Sequence, residues 1–214
     1  MAEFSHPRCK ILVMAKAPVA GQVKTRLQPQ LSPQQSAQLH EALLAHCLAM
    51  LQRASLAPVQ LCYAGEHSCW QQLQQRYQLA LDLELVPQGG GDLGQRMAGM
   101  AQHALAAGAE TVVILGADCP FIAGGYIEQA LQRLQQGAEV VFGPAQDGGY
   151  VLLAFRQLWP QLFADISWGS ERVLAQSCRA LSCRYHCLPP LADIDRPEDL
   201  PLLAALPALK HWAV

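Results

Sequence analysis

Three cations lie close together in one short segment of the chain, and their types suit phosphate chemistry. Lys16 is followed by Gly21 and then by Lys24, Thr25 and Arg26. Glycine lets a backbone approach a ligand closely, lysine supplies a point charge, and arginine presents a planar fork that matches phosphate oxygens. The spacing differs from the P-loop pattern Gly-x-x-x-x-Gly-Lys-Ser/Thr. We therefore expect Lys24 and Arg26 to bind phosphate, the alternative being a solvated basic loop.

Carboxylates that could hold a metal ion occur in two later segments. Asp118 follows the clearest predicted strand, an apolar and β-branched run at 111–116 that is typical of a sheet buried on both faces, and Asp193 and Asp195 lie in the segment 193–200. Carboxylate oxygens suit Mg²⁺ and Mn²⁺, which commonly bridge to substrate phosphates. Asp118 is therefore a candidate metal ligand, and either Asp193 or Asp195 could complete the site with it. The alternatives are a turn cap before Pro120 and an N-cap for a helix that begins at Pro197.

Two glycine-rich segments could approach a ligand closely. In the segment 143–150, paired glycines accompany Asp147 and Tyr150, and the same Asp-Gly sequence is equally typical of a hairpin turn. The segment 89–94 matches Gly-x-Gly-x-x-Gly between a predicted strand and a predicted helix. Ile114 occupies the region where a dinucleotide site would have an acidic ribose ligand. The segment 89–94 therefore predicts a nucleotide-contact loop and not a dinucleotide fingerprint.

The composition limits the classes of partner. The 214-residue chain has a formal net charge of −2, and 15% of its residues are charged. A general attraction to nucleic acid or to an anionic membrane is therefore not expected, and phosphate binding must be local. The first apolar run, 11–15, is too short for a signal-peptide core, and no run reaches membrane-spanning length. We expect a cytoplasmic protein.

The eight cysteines are scattered and form no Cys-x-x-Cys pair. Cys183, His186 and Cys187 come nearest to a metal set, but they lack the paired spacing of a zinc site. A chain of this length builds a core without disulfides. The pattern therefore predicts reduced, mostly buried thiols.

Short apolar runs alternate with helical stretches, and this alternation can bring the polar segments together. The predicted strands cover 9–17, 59–64, 83–86, 111–116, 139–142, 150–155 and 184–188. The first predicted helix begins at Ser32, with Gln35 as its capping-box partner. Further predicted helices cover 68–77, 94–107, 125–136 and 171–181, and a last one begins at Pro197. The pattern predicts a single α/β domain over residues 1–214, with three α/β/α layers and a mostly parallel sheet. Ligands bind such sheets beyond the carboxyl ends of the strands, where the polar segments fall.

The ordered set of motifs resembles the nucleotide-diphospho-sugar transferase superfamily, which has the Rossmann-like GT-A fold. The set comprises Lys-Ala-Pro-Val-Ala-Gly at 16–21, Lys-Thr-Arg-Leu at 24–27, Gly-Asp-Leu-Gly-Gln-Arg-Met at 91–97, Leu-Gly-Ala-Asp-Cys-Pro at 115–120, the segment 143–150, Trp-Gly-Ser at 168–170 and Asp-Ile-Asp-Arg-Pro-Glu-Asp-Leu at 193–200. Within the superfamily, the chain looks like a small bacterial family labelled glycosyltransferase and linked by name to arsenosugar biosynthesis.

The resemblance implies a role for each motif. The implied nucleotide-binding residues are Lys16, Gly21, Lys24, Thr25, Arg26, Gly91, Asp92, Gly94 and Arg96. The implied contacts to the transferred group or acceptor are Asp147, Gly148, Gly149, Tyr150 and Trp168. Lys24, Arg26 and Asp147 would be catalytic, and Asp118 and Asp195 would hold Mg²⁺ or Mn²⁺. Gly116 stands where a full Asp-x-Asp motif has its first carboxylate. Asp193 and Asp195 therefore become stronger candidates for metal ligands.

Three functions fit these residues. The first is metal-assisted glycosyl transfer from a nucleotide sugar to a small-molecule acceptor, with Lys24 and Arg26 stabilising the leaving diphosphate. The second is nucleotidyl transfer, in which the same cations bind the β- and γ-phosphates of a nucleoside triphosphate and pyrophosphate leaves. The third is nucleotide binding without catalysis. The expected partners are a nucleotide sugar or nucleoside triphosphate and a small acceptor, without nucleic acid.

Overall fold

The computed structural model describes residues 3–65, 67–77 and 83–214. In this part of the chain the strands are β1 (Cys9–Lys16), β2 (Val59–Ala64), β3 (Glu84–Pro87), β4 (Thr111–Gly116), β5 (Val140–Pro144), β6 (Tyr150–Phe155) and β7 (Tyr185–Cys187). The α-helices are α1 (Pro33–Ala54), α2 (His67–Arg76), α3 (Leu93–Ala106), α4 (Gly124–Gln135) and α5 (Val173–Ala180). Short 3-10 helices cover Thr25–Leu27, Pro160–Leu162, Pro197–Ala205 and Lys210–Trp212.

The strands form one sheet in the order β3-β2-β1-β4-β6-β5-β7. β1 pairs in parallel with β2 and β4, β2 with β3, and β5 with β7. β6 runs antiparallel to both of its neighbours, β4 and β5. The predicted mostly parallel α/β sheet is therefore confirmed. The reversed β6 also makes the segment 143–150 a hairpin connection, which is the alternative that its Asp-Gly sequence indicated.

Successive side chains of the central strands enter cores on opposite faces of the sheet, as strand geometry requires. On one face, Val13 of β1 packs among apolar residues of α1, α2 and α4. On the other face, Leu12 packs with α3 and with residues 162–163, while α5 contributes partly buried side chains. Helices therefore cover both faces of the sheet, as the apolar β-branched run at 111–116 predicted.

A third apolar cluster joins the segment after β7 to α1. Ile194 and Leu200 are fully buried there against Leu27, Leu39 and Leu43. Leu39 and Leu43 are two of the apolar positions that recur along α1 at four-residue spacing. This packing holds the loop after β1 and the segment 193–200 close together, although they are far apart in sequence.

Most predicted elements agree with the structure to within one or two residues, and the differences have local causes. The Ser32–Gln35 capping box at the start of α1 and the bounds of β4 are confirmed. The helix predicted from Pro197 is a 3-10 helix that contains Pro201. Proline has no N–H for an i→i−4 hydrogen bond, which disfavours a regular α-helix there.

Two other expectations concern membrane segments and thiols. Across the ranges that the structure describes, no helix combines the length and apolar character needed to cross a membrane. The cysteines with described side chains are free thiols, and Cys9, Cys47, Cys62 and Cys119 are buried. Burial raises the pKa of the Cys47 thiol to about 12, so this group is a packing residue and not a reactive nucleophile.

Candidate functional site

A cavity of about 470 Å³ opens at the carboxyl ends of β1 and β4. Because β6 is antiparallel, its first residue, Tyr150, reaches the same edge of the sheet. The predicted site residues that line the cavity are Lys16, Lys24, Thr25, Arg26, Arg96, Asp118, Asp147, Gly149, Tyr150, Trp168 and Asp195. The structure therefore brings together side chains from the loop after β1, the loop after β4, the segment 143–150 and the segment 193–200, as the strand-end rule predicts.

The other predicted residues lie outside this lining and have structural roles in its walls. Asp92 caps α3, since its carboxylate accepts a hydrogen bond from the Gln95 backbone N–H at 2.8 Å. A Cβ atom on Gly94 would lie 2.4 Å from the Phe163 carbonyl oxygen and 2.7 Å from Trp168 Nε1. Gly94 therefore allows α3 to pack closely against the segment that carries Trp168.

Three further glycines of the predicted site occupy left-handed backbone conformations, with φ of 80° at Gly21, 95° at Gly91 and 90° at Gly148. A Cβ atom on Gly148 would also lie 2.1 Å from the Glu171 carbonyl oxygen. These glycines shape the loops around the cavity without lining it. Their presence in the motifs is explained by backbone geometry.

Lys24 lies at the centre of the site with its side chain 3% exposed. Its Nζ is 3.0 Å from Asp118 Oδ2 and 3.9 Å from Asp195 Oδ1, and it also donates to the Ile194 carbonyl oxygen. The backbone of Lys24 is left-handed, with φ 50° and ψ 37°. The buried ammonium group therefore has three oxygen neighbours, which supply the partners that a buried charge requires.

Arg26 lies beside Lys24 but is half exposed. Its Nη1 donates to Asp195 Oδ2 at 2.6 Å, and its Nη2 donates to the Gly169 carbonyl oxygen at 3.2 Å. These bonds use two of the five N–H donors of the guanidinium group. Arg26 thus links the loop after β1 to Asp195 and to the loop at 169, and it retains donors for a ligand.

Ile194 connects the two acidic segments through its backbone. Its N–H donates to the Asp118 carbonyl oxygen at 3.0 Å, and its own carbonyl oxygen accepts from Lys24. The N-cap alternative for Asp195 is not what the structure shows. Asp199 Oδ2 accepts instead from the backbone N–H groups of Asp195 and Arg196, at 2.9 and 2.7 Å, which leaves the Asp195 carboxylate to pair with cations.

Electrostatics keep Asp118 ionised. Burial by itself would raise the pKa of Asp118, but the Lys24 ammonium and the nearby His40 oppose it, and the net pKa is lowered. The carboxylate keeps 46% of its surface exposed, so solvent screens part of this attraction. The group is consequently a negatively charged ligand at neutral pH, open to the cavity.

His40 is a site residue that the motifs did not indicate. Its Nε2 lies 3.0 Å from the Lys16 carbonyl oxygen, and its Nδ1 lies 3.8 Å from Asp118 Oδ1. A carbonyl oxygen only accepts, so Nε2 carries the proton of the neutral ring. Burial lowers the pKa of His40 despite the opposing effect of Asp118. A single histidine on an amphipathic helix carries no sequence signal for this position.

Asp193 and Asp147 are two further carboxylates in the cavity wall, at the end that holds Lys24 and Asp195. Burial, followed by the charge of Asp147, raises the pKa of Asp193 to about 6. Asp147 Oδ1 accepts from the Gly149 backbone N–H at 2.8 Å, a local turn bond that fixes its orientation. This end of the cavity therefore carries more negative charge than Lys24 and Arg26 neutralise.

The opposite end of the cavity has a different character. Met14, Leu93 and Met97 give it apolar walls, and Gln88 and Arg96 are its polar groups. In the parts of the chain that the structure describes, neither Arg96 nor Lys16 has a carboxylate within 4.0 Å, whereas Lys24 and Arg26 do. Gln88 is a second residue that the motifs did not single out. Its role depends on contacts with strand carbonyls remote in sequence.

A second cavity of about 500 Å³ adjoins the first. The two cavities share a wall formed by Arg26, Asp147, Gly169, Ser170, Asp193 and Asp195. The second is lined additionally by Gln146, Glu171, Ala192, Arg196 and Asp199. The Arg26–Asp195 ion pair therefore lies where two ligands could approach each other, and Lys24 and Asp118 lie beside it in the first cavity.

No group of three His, Cys, Asp or Glu side chains within the described ranges is arranged to hold a metal ion. Asp118 and Asp195 do approach the same atom, Lys24 Nζ, so they face a common point. Mg²⁺ commonly uses one or two protein carboxylates and completes its shell with substrate phosphates and water. The oxygen donors present fit that mode of binding.

Comparison with known proteins supplies a family. A family model described as "Uncharacterized protein conserved in bacteria (DUF2064)" matches residues 47–170. No curated protein matches the chain. A crystal structure from Desulfovibrio desulfuricans G20, of a protein provisionally named nucleotide-diphospho-sugar transferase, is 31% identical with a TM-score of 0.82. The similarity covers 92% of this chain and 86% of that one.

More distant structures share the fold. A 4-diphosphocytidyl-2C-methyl-D-erythritol synthase is 12% identical, with a TM-score of 0.63 over 94% of this chain and 98% of that one. A manganese complex of Rv0371C from Mycobacterium tuberculosis H37Rv is 15% identical, with a TM-score of 0.54 over 87% and 91%. The predicted Rossmann-like GT-A fold is confirmed, while the link to arsenosugar biosynthesis stays a prediction. The chain belongs to the bacterial DUF2064 family, resembles the nucleotide-diphospho-sugar transferases across most of its length, and is accordingly a nucleotide-dependent transferase.

Proposed function

We propose that the protein transfers a glycosyl group from a nucleotide sugar to a small-molecule acceptor, with a divalent metal ion assisting. The observation that carries this proposal is the position of the Lys24, Arg26, Asp118 and Asp195 cluster. Arg26 and Asp195 line both a partly apolar cavity of about 470 Å³ and a strongly polar one of about 500 Å³, while Lys24 and Asp118 line the first cavity beside them. A nucleotide fits the first environment and a hydroxylated acceptor the second.

The cations would act on the diphosphate that leaves. As the bond between the sugar carbon and the phosphate oxygen breaks, negative charge grows on that oxygen. Lys24 and Arg26 are already oriented by Asp118, Asp195 and the loop carbonyls, so they need little reorganisation to stabilise this charge. Arg26, with its free donors and half-exposed side chain, would contact the phosphates most directly.

Asp118 and Asp195 would hold Mg²⁺ or Mn²⁺ together with the phosphates. When bound, the ion would supply Lewis-acid neutralisation of the diphosphate. The fold relative from Mycobacterium tuberculosis was solved as a manganese complex, which supports this choice of ion. Lys24 stands between the same two carboxylates and neutralises part of their charge, so the substrate phosphates would supply the remaining anionic ligands of the ion.

Asp147 would be the base that accepts the acceptor's hydroxyl proton. It belongs to both cavities, and the turn at 147–149 holds it at their boundary. Tyr150 and Trp168 line the first cavity as well and meet in an edge-to-face contact at 6.3 Å between ring centroids, which would give the transferred group an aromatic wall. A positioned base of this kind typically contributes 10²–10⁴-fold to the rate of a proton transfer.

Nucleotidyl transfer is the second candidate, because Gly116 leaves the Asp-x-Asp motif incomplete. The fold shared with a 4-diphosphocytidyl-2C-methyl-D-erythritol synthase gives it further support. In this reaction Lys24 and Arg26 would bind the phosphates that leave as pyrophosphate. The same cavity pair would accommodate a phosphorylated acceptor.

Product analysis separates the two candidates. The protein is incubated with a panel of nucleotide sugars and nucleoside triphosphates, with and without Mn²⁺. Release of nucleoside diphosphate from a nucleotide sugar, without pyrophosphate, supports glycosyl transfer, while pyrophosphate from a triphosphate supports the second candidate. Asp118→Asn should abolish the stimulation of transferase activity by Mn²⁺, and it should weaken Mn²⁺ binding as measured by electron paramagnetic resonance. Asp165→Asn, an exposed site outside both cavities, is the matched control.

A further inference from the structure

The side-chain amide of Gln88 has a single chemically sensible orientation. Its Nε2 donates to the Cys62 carbonyl oxygen at 2.6 Å and to the Ala15 carbonyl oxygen at 3.2 Å. Both carbonyls only accept, so the reversed amide would place an oxygen against two oxygens. The two N–H donors are thus used within the sheet edge, and Gln88 presents its Oε1 atom, an acceptor, to the cavity.

Arg96 is held beside that acceptor by two weaker bonds. Its Nη1 lies 3.4 Å from Gln88 Oε1, and its Nε donates to the Asp92 carbonyl oxygen at 3.2 Å. These contacts leave three of the five guanidinium donors available. Gln88 and Arg96 therefore present neighbouring donors and one acceptor, and the described residues place no carboxylate within 4.0 Å to compete for Arg96.

Gln88 and Arg96 lie in the part of the cavity that suits a nucleobase. Gln88 bridges the ends of β1 and β2, whereas Asp118 follows β4 on the other side of β1. Met14 and Met97 line the same cavity and offer apolar contact for a planar ring. A nucleotide with its phosphates at Lys24 and Arg26 would extend its base toward Gln88.

We propose that Gln88 and Arg96 read the nucleobase and select cytosine, an inference that rests on the nucleotide-dependent function proposed above. The pairing edge of cytosine carries two adjacent acceptors, O2 and N3, followed by the N4 donor. Two donors of Arg96 and the Gln88 acceptor complement this edge at all three positions. Arginine forks commonly recognise two adjacent base acceptors in this way.

Other bases match the pair less well. Guanine offers two adjacent acceptors, O6 and N7, on one edge of its ring. Its nearest donor, N1–H, lies on a different edge and points away from a guanidinium group bound to that pair, so Gln88 would not reach it in the same plane. Adenine offers one acceptor and one donor. Uracil places its N3–H donor between two acceptors, where it would face a guanidinium donor. The expected order of affinity is therefore cytosine first, guanine and adenine next, and uracil last.

Calorimetric titration with CDP, GDP, ADP, UDP and inorganic pyrophosphate tests the assignment. The unchanged protein should bind CDP about tenfold more tightly than UDP. Arg96→Met and Arg96→Lys should both weaken CDP binding about tenfold and flatten the base preference, because each removes the planar fork. Pyrophosphate binding should stay unchanged in both variants. Arg133→Met, on the exposed face of α4, is the matched control.

Three results would overturn the inference. A preference for a base other than cytosine rejects the proposed selection. If Arg96→Met loses affinity equally for pyrophosphate and for all four nucleoside diphosphates, Arg96 contacts the phosphates and not the nucleobase. A cytosine preference that survives in both Arg96 variants assigns base reading to other residues. If the unchanged protein binds no nucleotide at all, the function proposed above fails, and this inference fails with it.

Discussion

Lys24 donates to the backbone carbonyl of Ile194, a residue 170 positions later in the chain. The same peptide segment donates its N–H to the Asp118 carbonyl oxygen. A cation of the first loop, a carboxylate after β4 and the segment after β7 are thus connected through one buried residue. The site is consequently part of the packing of the molecule, and several of its residues should affect folding as well as function.

Replacing Lys24 should destabilise the fold. Lys24→Met leaves Asp118 and Asp195 without their buried cation, and after discounting for the exposure of Asp118 we expect a loss of about 1–3 kcal/mol. Lys10→Met is the control, since Lys10 pairs with Glu84 at the surface and its loss should cost less than about 1 kcal/mol. Urea denaturation of both variants measures the difference. Equal losses would contradict a special role for Lys24.

Asp92 should act as a helix cap and not as a direct nucleotide contact. Asp92→Ala removes the bond to the Gln95 backbone N–H and should cost about 1 kcal/mol, whereas Asp92→Ser preserves capping. Both the stability and the affinity for nucleotide should therefore recover in Asp92→Ser. Thermal unfolding and nucleotide titration measure the two properties. Recovery of stability without recovery of affinity would point to direct contact with the ligand.

Two glycine-to-alanine changes should have opposite effects on stability. Gly148→Ala adds a Cβ atom 2.1 Å from the Glu171 carbonyl oxygen at a φ of +90°, and should cost about 2–3 kcal/mol. Gly99→Ala lies within α3 with nothing inside 4 Å of the added Cβ, and should stabilise the fold by about 0.5–1 kcal/mol. The same denaturation measurement serves both variants. If Gly148→Ala is as stable as the unchanged protein, the turn must relax around the added Cβ atom, and the prediction is wrong.

His40 and Asp193 should contribute to the pH dependence of stability with opposite signs. The folded-state pKa of His40 lies below its ordinary 6.5, so the unfolded chain binds more protons and stability falls as the pH drops through that value. The folded-state pKa of Asp193 is raised to about 6, from an ordinary 3.8, so protonation favours the folded state as the pH drops from about 6 to 4.

Single substitutions can separate these two contributions. His40→Gln should reduce the loss of stability between pH 7.5 and 6, and Asp193→Asn should remove the gain that Asp193 provides between pH 6 and 4. Urea denaturation across this range tests both slopes. Slopes that match the unchanged protein in both variants would rule out this origin of the pH dependence.

Local chemistry accounts for the parts of the fold that the sequence predicts well. The Ser32–Gln35 capping box and the bounds of β4 depend on residues within a few positions, and both are confirmed. The fold class follows from alternating apolar runs, which are also local. The motifs around Lys24 and Asp118 were predicted as site residues because strand ends meet at one edge of a parallel sheet.

Long-range contacts account for what the sequence does not reveal. His40 is held in the site by its hydrogen bond to the Lys16 carbonyl oxygen. Gln88 is held there by its hydrogen bonds to the carbonyl oxygens of Ala15 and Cys62. Backbone acceptors have no side-chain signature, so neither contact can be predicted from residue types. Gly94 shows the converse, since its motif position suggests ligand contact while the structure uses it to admit Trp168.

The reversed direction of β6 gives the two sides of the proposed site different structural supports. The proposed nucleotide side is built from parallel β1, β2 and β3, whereas the proposed acceptor side depends on the hairpin between β5 and β6. Changes in that hairpin would leave the register of β1 and β2 untouched, because neither strand pairs with β5 or β6. Substitutions at positions such as Gln146, which lines the second cavity alone, could therefore alter the proposed acceptor while Asp147 and the close packing of Gly148 are kept.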